Sequence, residues 1–349
     1  MSRSRRRTKR RKRGDPAWVD WSDEELMDLR LCDLDLTLEG TWLEPMVEKL
    51  HDELAAKGLR IKPHCWLSNE WFSPDGVPGI AVPFYLAHPR LMQLERRQMF
   101  QVEGGTKAWC MKILRHEAGH AFDTAYRLRR KRRWQQVFGR AGRRYPTSYK
   151  ARPESRKHVL HLEWWYAQSH PVEDFAETFA VWLTPRSRWR TTYADWPVLK
   201  KLEFVDALAD EVSAYPPPVR SRAKVEPLRA IKKTLRRHYR ERRERYGVDL
   251  PDFYEMQLER IFAPGKADSR ESASAFLRRV GPDLRRRVVK TTGSHPYTVD
   301  QFLNDMIARA RKLKLKRTRS ERNVKLEAAI LLAAQVMGYV SGGGHQVAL

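Results

Sequence analysis

Cysteine is scarce and scattered in this chain. Of 349 residues only Cys32, Cys65 and Cys110 are cysteine, and no two form a Cys-x-x-Cys pair. That argues against a disulfide framework and against a zinc ribbon, and a reducing cytoplasm is the expected setting. Long apolar runs are missing too, since nothing approaches the roughly 18 residues that a membrane-spanning helix needs. The opening segment, Met1-Ser-Arg-Ser-Arg-Arg-Arg-Thr-Lys-Arg-Arg-Lys-Arg13, carries charge without the apolar stretch of a secretory signal. Neither secretion nor a membrane partner is expected. No internal repeat is evident, and no proline falls between Pro89 and Pro146, which leaves room for a long uninterrupted helix.

What is present is a globular composition with basic ends. Apolar residues make up 41% of the chain, with 12 tryptophans, enough to build one large core or two modest ones. The net charge is +25, unevenly spread: residues 1–13 hold nine Lys/Arg and no acids, and residues 220–349 hold 30 against 14 acids. Residues 14–219 balance at 29 of each. Such ends attract polyanions by releasing counterions, so nucleic acid or an acidic partner is a possible ligand, although solvated basic faces are common.

The most informative residues are His116-Glu-Ala-Gly-His120. On a helix the two histidines lie four residues apart on one face, so both imidazoles can bind one Zn²⁺, while Glu117 projects towards water on the metal. Ile113, Leu114, Ala118, Ala121, Phe122 and Ala125 supply apolar positions at helical spacing. The alternative is a buried helix whose histidines only satisfy core hydrogen bonds. A third ligand is available in His170-Pro-Val-Glu-Asp-Phe-Ala-Glu-Thr-Phe-Ala-Val-Trp-Leu183, where Pro171 suits a first helical turn. Glu173 and Glu177 then share a face, Glu173 as ligand and Glu177 as acceptor for the free ring N–H of a ligating histidine. Asp174, turned about 100° from Glu173, is read instead as complementing the helix dipole. His158, His161 and His170 are read as packing, capping or substrate contacts, because two histidines and a glutamate already complete the protein side of a catalytic zinc site.

These two segments together resemble the bacterial zinc-binding metallopeptidases of the zincin superfamily, of gluzincin type. They are also similar to the catalytic domain of lethal-factor-type toxin peptidases, in which a second glutamate follows the ligand glutamate by four residues and a catalytic tyrosine precedes it by seven. Glu173, Glu177 and Tyr166 match that pattern. The resemblance covers residues 105–185 at most, and it implies Tyr166 as donor to the developing oxyanion. By itself Tyr166 also reads as a packed member of the Trp164-Trp165-Tyr166 run. The long basic insertion between His120 and Glu173 departs from the family, so the substrate-binding residues do not carry over.

The remaining chain supplies the frame. Residues 1–16 read as a disordered basic arm, 17–215 as the zincin-like domain and 220–349 as a helical basic C-terminal region, with Tyr215-Pro-Pro-Pro-Val219 the linker. Leu43–Lys57 reads as a helix, Leu59–Trp71 and Ile80–Leu86 as strands. Pro83 puts the second strand at a sheet edge, where the resemblance implies pairing with an extended substrate. Helices are expected at Val225–Tyr246, Pro251–Phe262, Ser272–Val280, Thr298–Lys314 and Arg322–Val340, with a flexible tail at Gly342–Gly344. The fold class is α+β: a small mixed sheet, an active-site helix and a helical C-terminal region. The function expected is a zinc-dependent metallopeptidase acting on protein or peptide, with Glu117 as general base. The alternative is a nucleic-acid-binding protein with a vestigial or partner-activated zincin domain.

Overall fold

The computed structural model describes residues 16–146, 149–152, 154–246, 255–264 and 271–340. The basic arm and the Gly342–Gly344 tail lie outside them. Among the described residues nine helices exceed ten residues: α1 (Glu44–Ala56), α2 (Pro89–Met99), α3 (Lys107–Tyr126), α4 (Pro171–Leu183), α5 (Leu199–Ser213), α6 (Leu235–Arg245), α7 (Ala273–Thr292), α8 (Pro296–Lys312) and α9 (Glu321–Tyr339). Helices beside one short parallel sheet are compatible with the α+β class.

α3 is the centre of the molecule. Thr106 caps it by accepting from Trp109 N–H at 3.2 Å, and Arg127 ends it in the left-handed region at φ 53°. Fifteen of its residues, from Cys110 to Tyr126, are buried, because it packs on α4 along one side and on α1 and the sheet along others. A salt bridge of 2.7 Å between Arg115 and the buried Glu53 ties it to α1.

The strands are shorter than the apolar pattern suggests. β1 is His64–Ser68 and β2 is Gly79–Pro83, paired in parallel with His64 opposite Gly79 and Ser68 opposite Pro83. The expected mixed sheet is thus this pair, with Phe72 bridging Ala81 in antiparallel sense on its open side. Ala81 N–H donates to Phe72 O at 2.8 Å. Alternation along a strand points Pro83 to that same side, where its missing N–H costs no ladder bond. β2 is therefore an edge as expected, but Phe72 already occupies part of it. After Pro83 the chain turns into a 3₁₀ segment, Phe84–Ala87, instead of continuing extended.

Among the described residues two hydrophobic cores form. The first collects α1 to α6, the sheet and the N-terminal residues from Trp18 onward, and the second runs from Leu258 to Val336. Leu228, Leu235 and Tyr239 pack in the first core, so that core extends past the Pro-rich segment at 215–219. The helix expected at Val225–Tyr246 begins only at Leu235, capped by Thr234; before it Pro227 is extended, Leu228–Ala230 form a short 3₁₀ turn and Ile231 is extended again. In the second core α7 continues beyond Val280 through Pro282 to Thr292, since Leu284 and Val288 keep the same buried face. Cys32, Cys65 and Cys110 are unbridged. No helix among the described residues is long and apolar enough to cross a membrane.

Candidate metal centre

Two helices deliver the centre. α3 brings His116 and His120 on one face, and α4, started by Pro171 behind a His170 cap, brings Glu173 and Glu177 on one face. The helices approach unusually closely at Gly119: a Cβ built there would stand 2.8 Å from Ala176 Cα and 3.1 Å from Ala176 O. Glycine is what allows the two ligand-bearing faces to meet, a packing requirement the sequence motif does not announce.

His116 Nε2 and His120 Nε2 lie 3.1 Å apart, and Glu173 Oε2 lies 3.1 Å from the first and 3.2 Å from the second. All three side chains are buried. A tetrahedral zinc with bonds of about 2.0–2.1 Å separates neighbouring ligand atoms by about 3.3 Å, so the observed triangle has the size such an ion requires. His116 Nδ1 is 2.7 Å from Glu177 Oε1. The carboxylate can only accept, so Nδ1 carries a hydrogen, and Nε2 is the nitrogen that meets Glu173 and His120. Burial disfavours a charged His116, but Glu173 and Glu177 outweigh it and raise the imidazole well above its usual range. Burial likewise opposes ionisation of Glu173, yet His120 and His116 hold it well below the carboxylate range. Both shifts describe a site that favours a positive charge at its centre. Buried His116, His120 and Glu173 could hold a metal ion, and among the described residues no other His, Cys, Asp or Glu cluster has that geometry.

Glu117 is 7% exposed and its Oε2 has no hydrogen-bond partner. Burial raises its pKa, with His116 and His120 pulling the other way. A buried, unpartnered carboxylate beside the ligand triangle can exchange a proton. Glu177 Oε2 accepts from Leu162 N–H at 2.8 Å, so both its oxygens are used. Tyr166 lines the same cavity, its ring 5.7 Å from that of His116, and burial pushes its hydroxyl well above the phenol range, which keeps it protonated.

Asp174 turns away from the triangle to Lys201 at 2.5 Å. His170 Nδ1 accepts from Val172 N–H as the α4 cap, while His161 Nε2 meets Lys112 O. His158 lies 3.8 Å from Asp174. These three pack or cap, and His170 also supports a residue the sequence did not mark. Tyr145, from the basic insertion, stacks on it with ring centres 3.8 Å apart and donates its hydroxyl to Glu173 Oε1 at 2.8 Å. Only the path of the insertion brings it there.

The centre opens on a cavity of about 460 Å³. It is lined by the chain between β1 and β2, from Asn69 to Asp75, and by Tyr246, Ser294, His295, Thr298, Tyr339 and Val340. Of Ile80–Leu86 only Tyr85 lines it. The second core thus contributes to the same space, held against the first by the stack of His295 on Tyr246, with ring centres 4.0 Å apart.

The pattern of one protein family, described as "Putative zinc-binding metallo-peptidase", matches residues 110–208. The matched span includes His116, Glu117, His120, Glu173 and Glu177 and ends within α5, so the wall from the second core lies outside it. No curated protein and no solved structure matches the chain.

Proposed function

We propose that this chain is a zinc-dependent metallopeptidase of the gluzincin type, with His116, His120 and Glu173 as metal ligands and Glu117 as general base. The observation that carries the reading is the buried triangle of three ligand atoms with an unpartnered carboxylate beside it, open to a cavity of substrate size. Zinc, when bound, acidifies water and polarises a carbonyl. The protein's own residues supply the rest. Glu117, its basicity raised by burial, accepts a proton from the attacking water and returns it to the leaving amine. Tyr166, kept protonated, donates to the oxygen that becomes negative as the carbonyl is attacked. Glu177 fixes the tautomer and tilt of His116, and Tyr145 holds the second oxygen of Glu173. The matching family description and the resemblance to lethal-factor-type sites support the same assignment.

The test is metal removal. The purified chain cleaves an unstructured polypeptide, loses that activity on chelation, and regains it when zinc is restored. Cleavage that persists through exhaustive chelation contradicts the proposal.

A further inference from the structure

Four carboxylates line the cavity besides Glu117 and Glu173, namely Glu70, Asp75, Glu95 and Glu103. Three of them are matched by arginine: Glu70 with Arg245 at 2.9 Å, Asp75 with Arg129 at 2.7 Å and Glu95 with Arg242 at 2.6 Å. Arg129 is shared further with the buried Asp123. Glu103 alone among the four has neither a hydrogen-bond nor an ion-pair partner. Burial pushes its carboxyl up to about 7, with Arg242 opposing the shift and Glu95, Glu70 and Glu117 adding to it. The cavity therefore presents an acid without a pairing partner of its own, within electrostatic reach of the general base, while every lining arginine is already engaged.

Glu103 is also held in place. Gly104, next along the loop from α2 to α3, has φ +71°, and a Cβ there would stand 3.0 Å from the Trp71 ring. The loop is pressed onto that indole, and Trp71, Phe72, Trp109 and Tyr246 are among the residues that line the cavity, a ring type that suits a cation.

We propose that Glu103 is the anchor of a substrate subsite for a positively charged group of the polypeptide, a basic side chain or a free N-terminal amine. The proposal rests on the peptidase reading for the identity of its ligand. A charge-assisted hydrogen bond to an otherwise uncompensated carboxylate discriminates by about 10- to 100-fold against a neutral isostere.

The experiment uses the zinc-loaded, full-length chain and one peptide sequence in matched forms: arginine or citrulline at a single position, each N-acetylated or free. Binding is measured by calorimetry on the Glu117→Gln protein, which cannot turn the peptide over, and cleavage on the wild type. Arginine is expected to bind about 10- to 100-fold tighter than citrulline, and adding Glu103→Gln should shrink that ratio to within about threefold, while Glu103→Asp keeps part of it. If the terminal amine is the cation bound, acetylation produces the loss and citrulline does not. Equal binding of all forms, no binding of any, or a preference untouched by Glu103→Gln overturns the subsite. Preferential binding without cleavage overturns the peptidase reading and leaves the subsite standing; cleavage indifferent to charge does the reverse. Zinc content and circular dichroism of the Glu103 variants show that they fold.

Discussion

Glu177 spends both carboxylate oxygens on its surroundings, one on His116 Nδ1–H and the other on Leu162 N–H, whereas Glu173 Oε2 faces both imidazoles. The two glutamates share a helical face, yet removing them should differ in kind. Glu173→Ala should abolish zinc retention, and Glu177→Ala should weaken it by roughly 10–100-fold, the usual cost of losing a residue that orients a ligand. Competition with a chromophoric chelator measures both, and equal losses contradict the division of roles. At this scale the sequence was most informative where contacts are local. His116, Glu117 and His120 are set by one helix repeat, and Glu173 and Glu177 by another. Tyr145, Glu103 and Ser294 were not legible, because each reaches the cavity through the path of a loop or a distant helix, which no local spacing encodes.

The close crossing of α3 and α4 depends on Gly119. A methyl at that point meets backbone, which cannot step aside, so Gly119→Ala should destabilise the fold by roughly 1–3 kcal/mol and lower zinc affinity by parting the ligand helices. A variant with unchanged stability and zinc affinity contradicts that packing. The pattern reading placed α3 and α4 well because both are long and apolar over most of their surface. It overextended both strands, since Pro83 and the Phe72 bridge end the pairing early, and it stopped α7 near Pro282, where a buried face carries the helix on. His295, which caps α8, offers a test at the same scale. Burial, with Arg242 adding, pushes it down to about 3 from an ordinary value of 6.5. Below 6.5 the unfolded chain binds a proton that the folded chain refuses, so this group removes stability as pH falls, by about 1.4 kcal/mol per pH unit down towards its folded pKa. His295→Phe keeps a ring against Tyr246 without titrating, so the stability difference between it and wild type should move in favour of the variant at that slope between pH 6.5 and about 4. Urea unfolding at several pH values measures it, and a difference independent of pH contradicts the assignment.

Across the whole molecule, the basic half proves to be more than charge. Many of its arginines are tied to carboxylates, as in Arg279 with Glu271 and Glu321, Arg285 with Asp300, and Arg319 with Glu327. Its helices enclose a core of their own and supply a wall of the cavity, a role that composition alone could not reveal. Loosening that core should therefore be felt by the substrate. Phe276→Ala should cost roughly 3–5 kcal/mol in the second core and raise KM while zinc stays bound; an unchanged KM would separate the wall from substrate binding.

The central claim is that the triangle is a catalytic centre and not a structural one, and Glu117 decides between them, because it lines the cavity, binds no metal in this scheme and keeps one carboxylate oxygen without a hydrogen-bond partner. The most direct measurement is kcat on an unstructured polypeptide for Glu117→Gln beside wild type, with zinc determined in the same samples. The account predicts about one zinc per chain in both, as expected of three protein ligands, and a fall in kcat of about 10²–10⁴-fold in the variant. Undiminished cleavage by Glu117→Gln at full zinc would contradict it.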